Sequence, residues 1–291
     1  MGLANPRSWF ALVVALAGAT AARADVFASQ VGGKLILTAL PGGGSIRIEG
    51  TKTLGEVLIV LDPATIKTFV GVRDVIVRGG DGDDEVAVSG LQIGGSLKAK
   101  LGDGNDAISI DTFGWVDDMP VVIGGGIDAR MGGQSGDVFQ AFGSGVLGIT
   151  IHGNVTIKGA ATIAFSGAGD HHGVEDGDCV IAGNLRIDRA AAKSAATTPI
   201  HVLLTDVSVG GATKITLGPT DDLVSFADST FAGKLTISFG SGDDTCDFLM
   251  NDTNFDAPSV IDAGPGTDVI AGTFSIVFSI EPSFAAFELK A

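Results

Sequence analysis

The chain has 291 residues, 45% of them hydrophobic, and its 34 acidic and 18 basic side chains give a formal net charge of −16 at pH 7. Such an acidic protein repels nucleic acid and anionic membrane and attracts cations, so we expect neither nucleic-acid binding nor membrane insertion. Its 44 glycines show no Gly-X-Y period, which excludes collagen, and the apolar content argues against disorder.

Residues 1–24 have the features of a secretory signal peptide. The first nine residues carry Arg7 and no acid, residues 10–19 are apolar, and Ala22-Arg23-Ala24 matches an A-x-A cleavage site. The apolar run is about ten residues, whereas a membrane span needs about 20. We therefore expect a mature chain from Asp25 to Ala291, with 16 basic and 34 acidic residues and a charge of −18, secreted to the extracellular space, the periplasm or the cell surface.

The mature sequence predicts many short strands joined by tight turns, because Val, Ile and Thr recur throughout and glycine is frequent. No Pro-, Ser- or charge-rich linker divides it, so we expect one domain. Segments of the form Gly-x-Φ-x-Φ, where Φ is apolar, recur at nearly regular intervals and begin at Gly95, Gly125, Gly153, Gly183, Gly211 and Gly233. These segments give a strand period of 22 to 30 residues, which is typical of a solenoid.

Each period holds two or three segments in which apolar and polar residues alternate, as in Glu85 to Val88 and Ala107 to Ile110. The predicted fold is all-β: a single-domain parallel β-helix (β-solenoid) of about nine coils over residues 25–271. We expect a right-handed helix because crossovers between parallel strands are generally right-handed. Residues 272–291 lack the repeat and hold four phenylalanines, so we interpret them as a C-terminal cap; a docking surface or a secretion signal is the alternative.

Acidic, glycine-rich turns recur just before one strand of several repeats. The fullest copy is Gly79-Gly80-Asp81-Gly82-Asp83-Asp84-Glu85-Val86. Further copies occupy residues 101–108, 217–224, 239–246 and 263–270, with a weaker one at 132–138.

These turns resemble the nonapeptide G-G-x-G-x-D-x-Φ-x of the haemolysin-type, or repeats-in-toxin, calcium-binding proteins. Gly79, Gly80, Gly82, Asp84 and Val86 match all five fixed positions. The resemblance implies that the aspartates and backbone carbonyls bind Ca²⁺ between neighbouring turns. In that family the nonapeptides follow one another directly, whereas here each copy stands alone. The candidate Ca²⁺ ligands are Asp81, Asp83, Asp84, Asp103, Asp106, Asp221, Asp222, Asp243, Asp244 and Asp268.

The spacing of these turns predicts that their aspartates stack. The interval from Asp84 to Asp106 matches the length of one coil, which places the two side chains beside each other. In the same way Asp222, Asp244 and Asp268 would form a second stack. Carboxylates about 5 Å apart repel one another, and a cation that takes 6 to 8 oxygen ligands would relieve this repulsion. Asp and Gly are also favoured in turns that hold no metal, so both interpretations stay open.

All four histidines lie between residues 152 and 201, two of them in the loop Asp170–Asp178. Histidine and carboxylate can bind a transition metal, but a solvated loop is the simpler interpretation. Trp115 lies beside the carboxylate pair Asp117 and Asp118, which could supply an acid and a base. No serine-hydrolase or zinc-protease motif is present, and we predict no enzymatic activity.

The predicted function is a structural or interaction role, with Ca²⁺ and cell-surface or matrix components as partners. The alternatives are a carbohydrate-active lyase or hydrolase, and an adhesin or filament subunit. Cys179 and Cys246 fall on inward positions of different faces, about two to three coils apart. We therefore predict two buried free thiols, because a disulfide needs Cα atoms within about 7 Å.

Overall fold

The computed structural model describes residues 26–39, 41–62, 65–112, 119–132, 136–142, 149–151, 155–158, 162–166, 179–189, 199–248, 253–272 and 277–287. These residues form an all-β protein with thirty strands in three sheets. Most neighbouring strands run parallel, and no α-helix occurs in the ranges given. The predicted signal peptide, the Asp170–Asp178 loop and Trp115 lie outside the described residues.

Sheet A has eleven strands. In spatial order they are β1 (Val26–Val31), β2 (Lys34–Ala39), β6 (Asp74–Arg78), β9 (Leu97–Lys100), β12 (Ile127–Arg130), β15 (Val155–Lys158), β18 (Leu185–Asp188), β21 (Thr213–Thr216), β24 (Leu235–Ser238), β27 (Ser259–Asp262) and β30 (Ser283–Ala285).

Sheet B also has eleven strands, in the order β28 (Val269–Ala271), β25 (Thr245–Phe248), β22 (Leu223–Ala227), β19 (His201–Thr205), β16 (Thr162–Ser166), β13 (Val138–Phe142), β10 (Ala107–Asp111), β7 (Asp84–Ser89), β3 (Gly44–Gly50), β4 (Val57–Asp62) and β5 (Thr65–Phe69). Sheet C has eight strands, in the order β29 (Val277–Phe278), β26 (Asn254–Phe255), β23 (Thr230–Phe231), β20 (Val207–Val209), β17 (Cys179–Ile181), β14 (Ile149–Ile151), β11 (Val121–Ile123) and β8 (Gln92–Ile93).

From β6 onward, consecutive strands belong to sheets A, B and C in strict rotation. Each strand pairs in parallel with the strand three places further along the chain, as β9 does with β12 and β10 with β13. Residues at the same point of successive repeats therefore lie side by side. This arrangement brings together side chains that are a whole repeat apart in sequence, such as Leu97 and Ile127.

The first strands depart from the parallel pattern that the repeats predict. β1 pairs antiparallel with β2, and β4 pairs antiparallel with both β3 and β5. Gly32 and Gly33, at the turn between β1 and β2, have φ values of 57° and 77°. A two-residue turn with positive φ at both positions is the geometry that joins antiparallel strands, and it favours glycine.

Alternating side chains of the strands point into one apolar core, as the period-2 patterns predict. Near its C-terminal end the core is aromatic: Phe226 lies edge-on to Phe231 at 5.4 Å between ring centroids and stacks with Phe248 at 5.6 Å. Cys179 and Cys246 are both buried and neither belongs to a disulfide, as predicted. Cys179 pairs in register with Ile149, and Cys246 with Val224, so both occupy core positions.

The C-terminal segment differs from the expectation that residues 272–291 abandon the repeat. β29 and β30 extend sheets C and A by one more parallel strand each. Phe278 stacks on Phe255 with 4.8 Å between ring centroids, so an aromatic residue continues the core here. The strands are only two and three residues long, which hides their alternation in the sequence.

Candidate functional site

The acidic turns precede the strands of sheet B, and parallel pairing aligns them in two columns. The inner column consists of the last aspartate of each turn, with side chains at most 2% exposed, and comprises Asp84, Asp106, Asp137, Asp222, Asp244 and Asp268. The outer column comprises the exposed aspartates Asp83, Asp221 and Asp243. The predicted stacking of Asp84 with Asp106, and of Asp222 with Asp244 and Asp268, is confirmed.

Each inner aspartate after the first accepts a hydrogen bond from the backbone of the preceding repeat. The N–H of Asp84 donates to Oδ1 of Asp106 at 3.0 Å, and the N–H of Asp106 donates to Oδ1 of Asp137 at 3.0 Å. The N–H groups of Ile200, Asp222 and Asp244 donate at 2.7 to 2.8 Å to the next inner carboxylate in the same way. The inner column therefore joins neighbouring repeats through side chain to backbone bonds.

The outer column makes the opposite connection. Oδ1 of Asp83 accepts from the N–H of Asn105 in the following repeat at 2.8 Å, and Oδ1 of Asp221 accepts from the N–H of Asp243 at 2.8 Å. Asp243 continues the series to the N–H of Thr267, again at 2.8 Å. Inner carboxylates thus accept hydrogen bonds from the preceding repeat, and outer carboxylates accept them from the following repeat. Two neighbouring repeats that carry such turns are therefore joined by bonds in both directions.

Asp81 and Asp103, the other predicted Ca²⁺ ligands, belong to neither column. Both are exposed, and neither makes a hydrogen bond to a described residue. The ten predicted ligands therefore separate into a buried set, an exposed bonded set and two solvated side chains.

Four of the inner carboxylates have one oxygen whose surroundings are unusual, whereas Asp222 accepts hydrogen bonds at both oxygens, at Oδ2 from the N–H of Gly218. Oδ1 of Asp84 and the Oδ2 atoms of Asp106, Asp244 and Asp268 are buried without a hydrogen-bond partner among the described residues. Burial, reinforced by the neighbouring carboxylates, raises the pKa of Asp106 to about 7 and that of Asp244 to about 7. Desolvation also raises the pKa values of Asp84 and Asp222. An oxygen in such a place needs a proton or a cation.

The inner column is interrupted in its middle, where the structure places the buried guanidinium group of Arg189. Ile200 precedes β19 at the position that an inner aspartate takes before β13 and β22, so the aspartates fall into two sets of three. Arg189 follows β18 and is 2% exposed, in the slot that Leu217 occupies one repeat later. Desolvation lowers its pKa, while the charges of Asp137 and Asp222 oppose this effect.

Arg189 and Asp137 were not among the residues predicted from sequence. Asp137 lies in a turn that matches the repeat poorly, and Arg189 begins a corner, residues 189–193, that holds no acidic residue and lies between the two sets of turns. The sequence feature that singles out Arg189 is its position just after a Gly-x-Φ-x-Φ strand, because the equivalent residues of two other repeats, Leu101 and Leu217, are apolar.

The donor set is compatible with a hard cation such as Ca²⁺, which prefers carboxylate and carbonyl oxygen. Within the described ranges, however, no three His, Cys, Asp or Glu side chains gather closely enough to hold a metal by themselves. Backbone carbonyls and water would have to complete the coordination. Asp84, Asp106, Asp244 and Asp268 are the residues whose buried oxygens could contribute.

The predicted alternatives involving other residues are not addressed by the structure. Asp117, Asp118, Trp115 and the histidine loop fall outside the described ranges, and His201 is exposed on β19. Comparison with known protein families, with curated proteins and with solved structures found no match to this chain. Within the described ranges, no helix has the length and apolar character required to cross a membrane.

Proposed function

We propose that the chain is an exported, acidic, right-handed parallel β-helix with a structural or interaction role, and that Ca²⁺ binds at its stacked Gly-Asp turns. The rotation of consecutive strands through sheets A, B and C supports the β-helix, since one strand in each of three sheets makes one coil. The haemolysin-type resemblance of residues 79–86 supports a calcium role. The A-x-A pattern at residues 22–24 supports export.

The observation that carries the calcium proposal is the set of buried oxygens without partners on Asp84, Asp106, Asp244 and Asp268. A cation beside these oxygens would supply the partner that they lack and would remove the repulsion between successive carboxylates. Its binding would stabilise the fold, because the aligned carboxylates exist only in the folded state.

The test is a thermal melt of the mature protein at pH 8 with millimolar Ca²⁺ and, separately, with excess chelator. We expect Ca²⁺ to raise Tm by several degrees, and the Asp106→Asn, Asp244→Asn double variant to lose this response. Asn retains the Oδ1 acceptor for the backbone N–H, and it replaces the charged second oxygen with a neutral NH2 group that cannot ligate a cation. Asp103→Asn, in an exposed position of the same turn, is the matched control and should respond like the wild type.

A wild-type Tm that does not change with Ca²⁺ would refute the calcium proposal. In that case the two columns of aspartates would serve only to hold neighbouring coils together through hydrogen bonds. The β-helix itself is tested separately by solution X-ray scattering, for which we expect the profile of a rod. A profile of a compact sphere would contradict it.

A filament subunit is the second candidate function, because both ends of the sheets expose apolar side chains. Phe27, Val31 and Val70 are 65 to 68% exposed at the N-terminal end, and Val277 and Phe284 are 51 and 40% exposed at the other. The two ends also differ in charge: residues 26–78 hold six basic and four acidic side chains, whereas residues 235–287 hold eight acidic and none basic.

Opposite charges around apolar patches would favour head-to-tail contact between copies. The measurement is sedimentation velocity over a hundredfold range of concentration. We expect the wild type to form larger species that dissociate in high salt, and Phe284→Asp to stay monomeric. A monomer at every concentration would exclude this function.

A further inference from the structure

The outer face of sheet A carries a column of basic side chains in an otherwise acidic protein. Arg78 on β6 pairs in register with Lys100 on β9, which pairs with Arg130 on β12. Lys98 lies on the same outward face of β9, and all four side chains are exposed. Neighbouring strands are about 4.8 Å apart, so the three residues of the column form a row of positive charge about 10 Å long.

Such a row opposes folding, since like charges on directly paired strand positions repel one another. Arg130 is compensated by Asp128, at 3.1 Å between Nη2 and Oδ2. By contrast, Arg78, Lys98 and Lys100 form no ion pair with any described residue. The chain has 34 acidic side chains from which partners could have come. Lys98 does have Asp128 opposite it in register on β12, whereas Arg78 and Lys100 lie side by side with no carboxylate opposite either of them on a neighbouring strand. These two uncompensated cations therefore indicate an anionic partner from outside the chain.

The basic residues also border a concave site, here called the sheet A groove. It has a volume of about 470 Å³ and lies between the outer face of β6, β9 and β12 and the turns that follow β6 and β9. Ligand sites typically measure about 300 to 1,000 Å³. Its charged lining residues are Arg78, Lys98, Lys100, Arg130, Asp81 and Asp128.

The composition of the groove narrows the ligand class. The described residues that line it include no aromatic side chain on which a base could stack, and a net charge of −16 disfavours nucleic acid in general. Asp81 and Asp128 place hydrogen-bond acceptors among the four cations, which suits a ligand that carries hydroxyl donors as well as anionic groups. A row of cations spaced by the strand repeat suits a linear polymer with regularly repeated charges.

We propose that the sheet A groove binds an anionic polysaccharide. Arg78, Lys100 and Arg130 contact successive carboxylate or sulfate groups through charge-assisted hydrogen bonds, and Lys98 adds a fourth cation. Asp81 and Asp128 accept hydrogen bonds from sugar hydroxyls. The groove borders the acidic turns after β6 and β9, but none of its lining residues belongs to either carboxylate column, and its test is made in chelator so that bound Ca²⁺ does not contribute.

The test is affinity electrophoresis of the folded mature protein in chelator, through gels that contain polygalacturonate, dextran sulfate or neutral dextran. We expect retardation by a charged polymer and none by dextran. Retardation by polygalacturonate assigns carboxylate as the recognised group, and retardation by dextran sulfate alone assigns sulfate. Because exposed ion pairs are screened, raising the salt from roughly 20 to 300 mM should weaken binding at least about tenfold.

Variants show whether the groove is the site. Lys100→Glu should raise the dissociation constant about tenfold or more, and Arg130→Gln should raise it by a smaller factor. Lys214→Glu makes the same charge change on β21, on the same face of sheet A but outside the groove, and should bind like the wild type. All three variants should melt within a few degrees of the wild type, since the substituted side chains are exposed.

Two results would overturn the inference. One is that neither charged polymer retards the wild type at low salt. The other is that Lys100→Glu and Lys214→Glu weaken binding equally, which would mean that the polymers respond to overall charge and not to the groove. If Lys100→Glu fails to fold, the comparison of Arg130→Gln with Lys214→Gln decides between the same outcomes.

Discussion

Replacing Asp106 by Asn should stabilise the protein at neutral pH when no divalent cation is present. The side chain is fully buried, and its pKa is raised to about 7 by burial next to Asp137 and Asp84. Asn would keep the 3.0 Å bond from the N–H of Asp84 and would place an amide donor beside the neighbouring carboxylates. It therefore removes the cost of a buried negative charge without removing the bond between repeats.

The magnitude follows from the difference between folded and unfolded pKa values. An unfolded aspartate titrates near pH 3.9, so a folded value of about 7 corresponds to about 4 kcal/mol of destabilisation once the group is ionised. Relaxation and water penetration make about 2 kcal/mol the more realistic figure. For a domain of this size that corresponds to a rise in Tm of roughly 4–8 °C.

The sign of the pH dependence is fixed by the direction of the shift. Because the folded pKa is raised, the wild type has the full contribution of this group below about pH 3.9, loses it progressively as the pH rises, and has lost it above about pH 7. Thermal melts in chelator from pH 4 to 8 should show a wild-type Tm that falls more steeply than that of Asp106→Asn. A variant that is less stable than the wild type at pH 8 would refute the reasoning, and Asp103→Asn serves as the exposed control.

Other substitutions test the packing and the buried charge. Arg189→Met should destabilise the protein by about 2 kcal/mol or more at pH 8 and by less at pH 5, because the guanidinium charge opposes the cost of ionising Asp222. Urea unfolding at both pH values measures this difference, and an equal loss of stability at both would contradict the prediction. Phe226→Ala should cost about 3–5 kcal/mol in the same assay, since the ring is fully buried among other phenylalanines, and a loss below about 1 kcal/mol would contradict the packing. Gly102→Ala should lower the free energy of unfolding by at least about 2 kcal/mol, because Gly102 has a φ of 127° and an added Cβ would overlap the carbonyl oxygen of Gly80. A variant as stable as the wild type would show that the turn is built differently. The thiol of Cys246, whose pKa is raised by complete burial, should react with a thiol reagent only after unfolding, so rapid reaction in the native protein would contradict the core assignment.

Local pattern was enough to predict most strands of the repeats. In segments such as Leu97–Lys100 and Leu235–Ser238 the alternation of apolar and polar residues matches the burial that the structure has. Alternation failed where strands are short or unusual. Val277–Phe278 is too short to show a period, and the antiparallel pairs of β1 and β4 depend on turns near the start of the chain.

The candidate site was predictable in its residues but not in its bonding. Turn spacing correctly placed Asp84 beside Asp106, since the residues that follow them, Glu85 and Ala107, pair in register in sheet B. It could not separate the buried Asp84 from the exposed Asp83, although the two are adjacent in sequence. That distinction depends on which of the two carboxylates the backbone directs into the protein, and neighbouring residues on an extended chain point in opposite directions.

By itself the sequence determined an all-β protein, the phase of its repeats, the acidic turns and the apolar character of each strand, because these properties depend on residues a few positions apart. Only the tertiary structure decided which residues of successive repeats lie beside one another. The connections between repeats differ in length, so the alignment of Arg78 with Lys100 and Arg130, and the position of Arg189 between two sets of aspartates, follow from strand register alone. Register is set by the packing of the whole core, and no local stretch of sequence contains it.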